Sequence, residues 1–130
     1  MKKLMLALVA LVMVGISFTG CKVEKSEVTV SVYDVMGNPV NNRAVLYTDA
    51  VSATLDTFIP SPESLVTNIP DGMMYALTNA QGTVTIPFDL SVSKLTYYFY
   101  VFDEGSQKWL DKTVELVRGK NAEISFEVNR

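Results

Sequence analysis

No histidine occurs anywhere in the 130 residues, and there is a single cysteine, Cys21. The first absence removes Ser–His and Cys–His nucleophilic catalysis and most zinc-site designs, which draw on imidazole as base or ligand. The second removes any disulfide within the chain. Glycine-rich phosphate loops are missing, and so is a loop with oxygen-bearing side chains at the alternating positions a calcium site uses. Basic residues are few and unclustered, 11 against 14 acidic, for a net charge of −3. Nucleic-acid binding, which depends on neutralising phosphates with Lys and Arg, is therefore not expected. Electrostatic docking onto anionic lipid is disfavoured on the same grounds. The candidate carboxylates for glycoside hydrolysis are scattered over strand ends and loops: Asp34, Asp49, Asp56, Asp71 and the adjacent Asp103-Glu104. In the turn "DEGSQ" the last two are expected to be solvated charges. The chain reads as not an enzyme, with no cofactor or metal implied.

One long apolar run is present. Lys2 and Lys3 precede Leu4 to Ile16, 13 residues without charge. That length matches the core of a secretory signal and falls short of the roughly 18 residues that span a bilayer. Ser17, Thr19 and Gly20 then supply small or short side chains, and a strand pattern soon follows. Residues 1–20 are read as an export signal. The stretch Phe18-Thr19-Gly20-Cys21 resembles a bacterial lipobox, matching at Thr19 and Gly20, with Phe18 where leucine is usual. The resemblance implies a diacylglyceryl, palmitate-type modification at Cys21. Two or more acyl chains hold a protein at a membrane stably where one does so marginally. Lys22 stands where inner-membrane lipoproteins of enteric bacteria carry aspartate, so the resemblance implies the outer membrane of a Gram-negative envelope. Removing 20 residues leaves 110, with a net charge of about −5 after Lys2 and Lys3 are lost.

Residues 21–26 read as a lipidated tether and 27–130 as one β-domain. Val28, Val30 and Val32 alternate with Thr29, Ser31 and Tyr33, the period-two pattern of a half-buried strand. "MGNPVNN" (36–42) breaks it with turn residues, and "RAVLYT" (43–48) resumes it, Val45 and Tyr47 facing inward. "VSATLDTF" (51–58) is a possible strand, whereas Pro60, Pro62 and Pro70 confine the following stretch to loops and edges. "MMYALT" (73–78), the turn "NAQG" (79–82) and "TVTIPF" (83–88) read as strand, turn, strand. Lys94 to Phe102, "KLTYYFYVF", is apolar on both faces, as in a central strand covered on each side or one meeting a partner. Trp109–Val117 and Asn121–Val128 are expected to form a hairpin about "RGKN", Val114 and Leu116 opposite Ile124 and Phe126. Seven or so short strands over about 100 residues indicate an all-β, antiparallel β-sandwich of transthyretin-like or immunoglobulin-like style.

"VTVSVYDVMGNPVNNRAVLYT" followed by "ALTNAQGTVTIPF" resembles carboxypeptidase regulatory-like domains of the transthyretin (prealbumin-like) class. The matching residues are Asp34, Gly37, Pro39 and Val40 in a D-x-x-G-x-P-V turn, then Thr78, Asn79 and Gly82 in a T-[DN]-x-x-G turn. The resemblance covers most of 27–128 and implies a fold more than an activity. The transthyretin-like hydrolases of purine breakdown need histidines, which this chain lacks. Collagen-adhesin B-type domains are similar in style and can carry a Lys–Asn isopeptide bond. Strand 27–34 contains no lysine and Lys25 precedes it, so that bond is not expected.

Two surfaces stand out as candidates for contact with an envelope protein or a glycan. One is the aromatic face Tyr98, Tyr100 and Phe102 with Trp109, whose rings would suit sugar stacking or an interface if exposed and core filling if not. The other is the proline-containing loop 59–72. The leading expectation is a membrane-anchored lipoprotein whose sandwich is a non-catalytic interaction or structural module, with a glycan-binding accessory protein as the alternative.

Overall fold

The computed structural model describes residues 24–50, 55 and 58–129. The export signal, Cys21 and most of the possible strand 51–58 lie outside them. Among the described residues seven strands and one short helix follow in order: β1 (Glu24–Asp34), β2 (Ala44–Thr48), α1 (Pro62–Thr67), β3 (Met74–Leu77), β4 (Thr83–Leu90), β5 (Lys94–Asp103), β6 (Lys108–Val117) and β7 (Ala122–Val128). They form two sheets, ordered β4-β1-β7 and β3-β2-β5-β6. The chain is an all-β sandwich.

The alternation of β1 explains the packing. Val28, Val30 and Val32 are fully buried between the sheets, each contributing roughly 1.5–3 kcal/mol relative to exposure. Val45, Ile86, Phe88, Phe99, Val101, Leu116 and Phe126 meet them from both sheets in one core. Tyr47, on the Val45 side of β2, packs against it. An aromatic knot sits at one side, where Phe88 and Tyr97 lie 4.6 Å apart and Phe99 stacks 6.1 Å from Tyr47. Burial holds the Tyr47 and Tyr97 phenols above their ordinary pKa, and the nearby Asp49 adds to this at Tyr97.

The expected hairpin of the last two strands is corrected. Among the described strands β6 pairs with β5 alone, whereas β7 crosses to the other sheet and runs parallel to β1, Val28 opposite Ala122 and Val32 opposite Phe126. Val114, Leu116 and Phe126 do share a core, but across the sandwich rather than along a ladder. Alternation alone cannot separate the two arrangements, because facing strands of opposite sheets need the same inward positions as paired strands.

The expected tether is also shorter. β1 begins at Glu24, and Ser26, placed in the tether by sequence, is fully buried. Its hydroxyl donates to the Val117 carbonyl (2.8 Å) and accepts from the Gly119 amide (3.0 Å), tying β1 to the β6–β7 turn. Lys25 is thus inside β1, and its side chain is exposed.

Strand directions give the sandwich two ends. Glu24, Leu90, Lys94, Val117 and Ala122 mark one; Asp34, Thr83, Asp103, Lys108 and Val128 mark the other. Ser26 joins the two sheets at the first end, and Asp103 joins them at the second.

Candidate functional site

β5 is central and covered on both faces, as its sequence suggests. Tyr97, Phe99 and Val101 enter the main core. Tyr98 and Tyr100 turn to the opposite face, into a second apolar cluster with Ala44, Leu46, Leu55, Leu65 and Met73, against which Phe58, Ile69 and Trp109 pack. The proline-containing segment therefore lies over the outer face of the second sheet. Its helix, α1, is started by Pro62 and by a reciprocal capping box between Ser61 and Ser64. Leu65 is the buried residue of that helix.

This cover decides the fate of the aromatic platform. Tyr100 and Phe102 are buried, and Tyr98 and Trp109 are half-buried. Trp109 Nε1–H donates to the Phe58 carbonyl at 2.9 Å, the Phe58 ring stacks on the indole at 6.1 Å, and Phe102 meets it edge-on at 5.3 Å. The four candidate contact residues are brought together, but as the underside of the 55–73 segment. What remains outside is the segment itself and the edge next to it. A cleft of about 430 Å³ opens between α1 and β3, lined by Ala44, Leu65, Val66, Tyr75 and Leu77. Arg43 and Glu104 stand at its mouth, joined by a 2.7 Å ion pair in which the Arg43 side chain is largely buried and Glu104 half-exposed. A second cleft, beside Ile59, Phe102 and Gln107, shares Arg43, Pro60 and Glu104 with the first.

Asp103 corrects another expectation. Rather than a solvated turn charge, it is buried, with 8% of its surface exposed. Oδ2 accepts from the Ser106 hydroxyl and Oδ1 from the Asn129 amide, each at 2.6 Å, and the Gly105 amide donates to the Asn129 carbonyl. The Ser106 hydroxyl, opposed by burial and assisted by backbone amides, holds the carboxyl below its ordinary pKa. A depressed folded-state pKa stabilises the fold above the unfolded value of about 3.9, and that stability is lost as pH falls through the lower, folded value. Asp103→Asn leaves one of the two donors without an acceptor. It should cost about 2 kcal/mol at pH 7, and the gap between variant and parent in urea titrations should close in acid below the ordinary carboxylate range. A gap that is constant with pH would mean that the charge is not what counts.

The residues of the two family-like turns are occupied with backbone. Asp34 Oδ1 accepts from the Met36 and Asn38 amides, and Asn79 Oδ1 from those of Gln81 and Thr83. Thr78 is buried, donating to the Val40 carbonyl at 2.6 Å and accepting from the Arg43 amide. Among the described residues no three His, Cys, Asp or Glu side chains gather as a metal site would require, and no helix is long and apolar enough to cross a membrane. Cys21, the residue on which the sequence places most weight, lies outside the described residues.

No family model matches the chain, and no curated protein matches it in sequence. Solved structures do match in fold. The TIE protein of Bacillus anthracis superposes with a TM-score of 0.52 at 11% identity, over 84% of this chain and 17% of its own. GBS52, the minor pilin of Streptococcus agalactiae, gives 0.52 at 15% identity, over 84% of this chain and 46% of its own. The 3-chlorocatechol 1,2-dioxygenase of Rhodococcus opacus gives 0.51 at 11% identity, over 82% and 60%. The chain thus spans less than two thirds of each of these neighbours. At such identities the likeness is one of fold alone.

The dioxygenase nevertheless corrects one expectation. The sequence reads as not an enzyme because it lacks histidine, catalytic motifs and paired carboxylates. A sandwich of this fold occurs in an enzyme, so architecture does not weigh against catalysis. That reading is withdrawn.

Proposed function

We propose that the chain is an exported lipoprotein acylated at Cys21. Its transthyretin-like, carboxypeptidase regulatory-like sandwich would act as a structural and interaction module at a Gram-negative envelope, on the outer membrane. The observation that carries this reading is the lipobox-like "FTGC" after a 13-residue apolar run, with β1 starting only three residues past the cysteine. At about 3.3 Å per extended residue, the Glu24 end of the sandwich would be held within roughly 10 Å of the acyl chains. The Asp34 end, ten residues along β1, would project about 33 Å further. The turn motifs support the family resemblance, and the fold shared with a minor pilin supports a structural role.

Mass spectrometry of the mature N-terminus, with fractionation of cells expressing the full chain, tests the anchor. The expected mature protein begins with a diacylglyceryl-modified Cys21 and sediments with membranes. Cys21→Ala should abolish acylation and leave either a precursor retaining residues 1–20 or a soluble product. A free thiol at Cys21, or a different N-terminus, would overturn the proposal.

A further inference from the structure

Among the described residues, four strands lie at sheet edges: β3, β4, β6 and β7. An edge presents unpaired backbone N–H and C=O groups, and natural proteins blunt it with charge, proline or cover. β4 carries Pro87 and Asp89; β6 carries Lys108, Asp111, Lys112 and Glu115; β7 carries Glu123 and Glu127. β3 reads Met74-Tyr75-Ala76-Leu77, with no charge and no proline. Three of its side chains remain exposed although large and apolar: Met74 at 47%, Tyr75 at 38% and Leu77 at 43%. In an acidic chain this edge is the exception.

From this contrast we infer that β3 is a docking site for an extended, uncharged segment of a partner polypeptide, which adds as a fifth strand to the second sheet. The ladder edge, unpaired by any strand among the described residues, specifies an occupant with backbone donors and acceptors. Alternation specifies its side chains. Those on the outer face would meet Tyr75, Leu77 and the exposed Val66 of α1 in the 430 Å³ cleft, while the alternate ones would lie beside Met74. A charged residue would gain no partner along β3 itself; the ionic groups that line the cleft, Arg43 and Glu104, already satisfy each other. A second copy is the poorer occupant. Four residues pairing with four fall well below the roughly 1,200 Å² that stable interfaces bury, whereas a longer segment can continue past the Arg43–Glu104 pair into the adjoining cleft. The cleft also lies at the Asp34 end, the one away from the anchor. The inference rests on reading the sandwich as an interaction module, and is independent of the acylation of Cys21.

Photo-crosslinking in intact cells expressing the full chain tests it, with p-benzoylphenylalanine at Tyr75 on β3 and, as comparisons, at Lys112 on β6 and Glu123 on β7. The expected result is an adduct from position 75 that maps by peptide sequencing to an uncharged, extended segment of another protein. It should be lost when Leu77→Lys is added. A thermal melt of the Leu77→Lys protein controls for folding, and Met74→Lys provides a second charged edge if that variant is unstable. Adducts only to a second copy, adducts that persist with either lysine, or adducts from 112 or 123 but not 75 would each overturn the β3 site. The last of these would leave the module reading standing; no adduct at any position would overturn both.

Discussion

Phe99→Ala should remove about 3–5 kcal/mol of stability, a large share of the 5–15 kcal/mol that holds a typical domain folded. Phe99 is the largest of the fully buried side chains and sits midway along β5, the strand covered on both faces. Its ring contacts three others: Tyr47 stacked at 6.1 Å, Phe88 edge-on at 6.3 Å and Tyr97 tilted at 6.4 Å. Truncation therefore loses the transfer energy of the ring and three aromatic contacts together. It leaves a cavity bounded by two sheets whose strands are ladder-bonded and cannot close in. In urea, at a slope of about 2 kcal/mol per molar, the midpoint should fall by roughly 2 M. Phe99→Leu keeps most of the volume and should cost about half as much. If Phe99→Ala costs under about 1 kcal/mol, the ring is not held as described, since even modest cavities in rigid cores exceed that. Tyr100→Ala, one residue on, offers a contrast: it faces the 55–73 segment, which is held by one sheet face alone and can settle into the gap.

That difference between neighbours also explains what could be read from sequence. Period-two alternation located β1, β2, β4 and β5 and assigned Val45 and Tyr47 to the inner side, because a strand between water and core leaves that imprint whatever its partner. It could not assign β7, since Ile124 and Phe126 face inward equally well in a hairpin with β6 or in the parallel ladder with β1 that forms. It could split β5 into two faces but not foresee that Tyr100 and Phe102 would be capped. The cap comes from a segment with no periodicity of its own, held by Leu65, Phe58 and one indole hydrogen bond. Asp103 was missed for a related reason. The turn "DEGSQ" looks solvated locally, and the amide that claims Asp103 belongs to Asn129, 26 residues away. The Arg43–Glu104 pair is equally non-local. The unblunted edge of β3 was legible as composition, but only once the topology had established which strands were edges.

Gly82→Ala should cost about 2–4 kcal/mol, combining left-handed strain of about 1–2 kcal/mol with overpacking of similar size. Gly82 closes the T-N-x-x-G turn at φ +74°, and its carbonyl accepts the Val32 amide at 2.7 Å. A Cβ there would lie 2.5 Å from the Val32 carbonyl oxygen and 3.0 Å from both Pro39 Cβ and the Val40 amide nitrogen. Two of these three obstacles are backbone. The third is the proline of the other family-like turn, whose Val40 amide also bonds to Val32. The two turns, some forty residues apart in the chain, are pressed together with β1 between them, and glycine leaves the room for it. Gly37 in the first turn isolates the conformational part: its φ is +82°, yet nothing lies within 4 Å of the position its Cβ would take. Gly37→Ala should therefore show the strain alone, about 1 kcal/mol. At about 4–8 °C per kcal/mol for a domain of this size, Gly82→Ala should melt roughly 4–24 °C below Gly37→Ala. Equal melting temperatures would mean that the turns do not meet as closely as this geometry requires. The D-x-x-G-x-P-V and T-N-x-x-G patterns would then be two independent turns rather than the two halves of one joint.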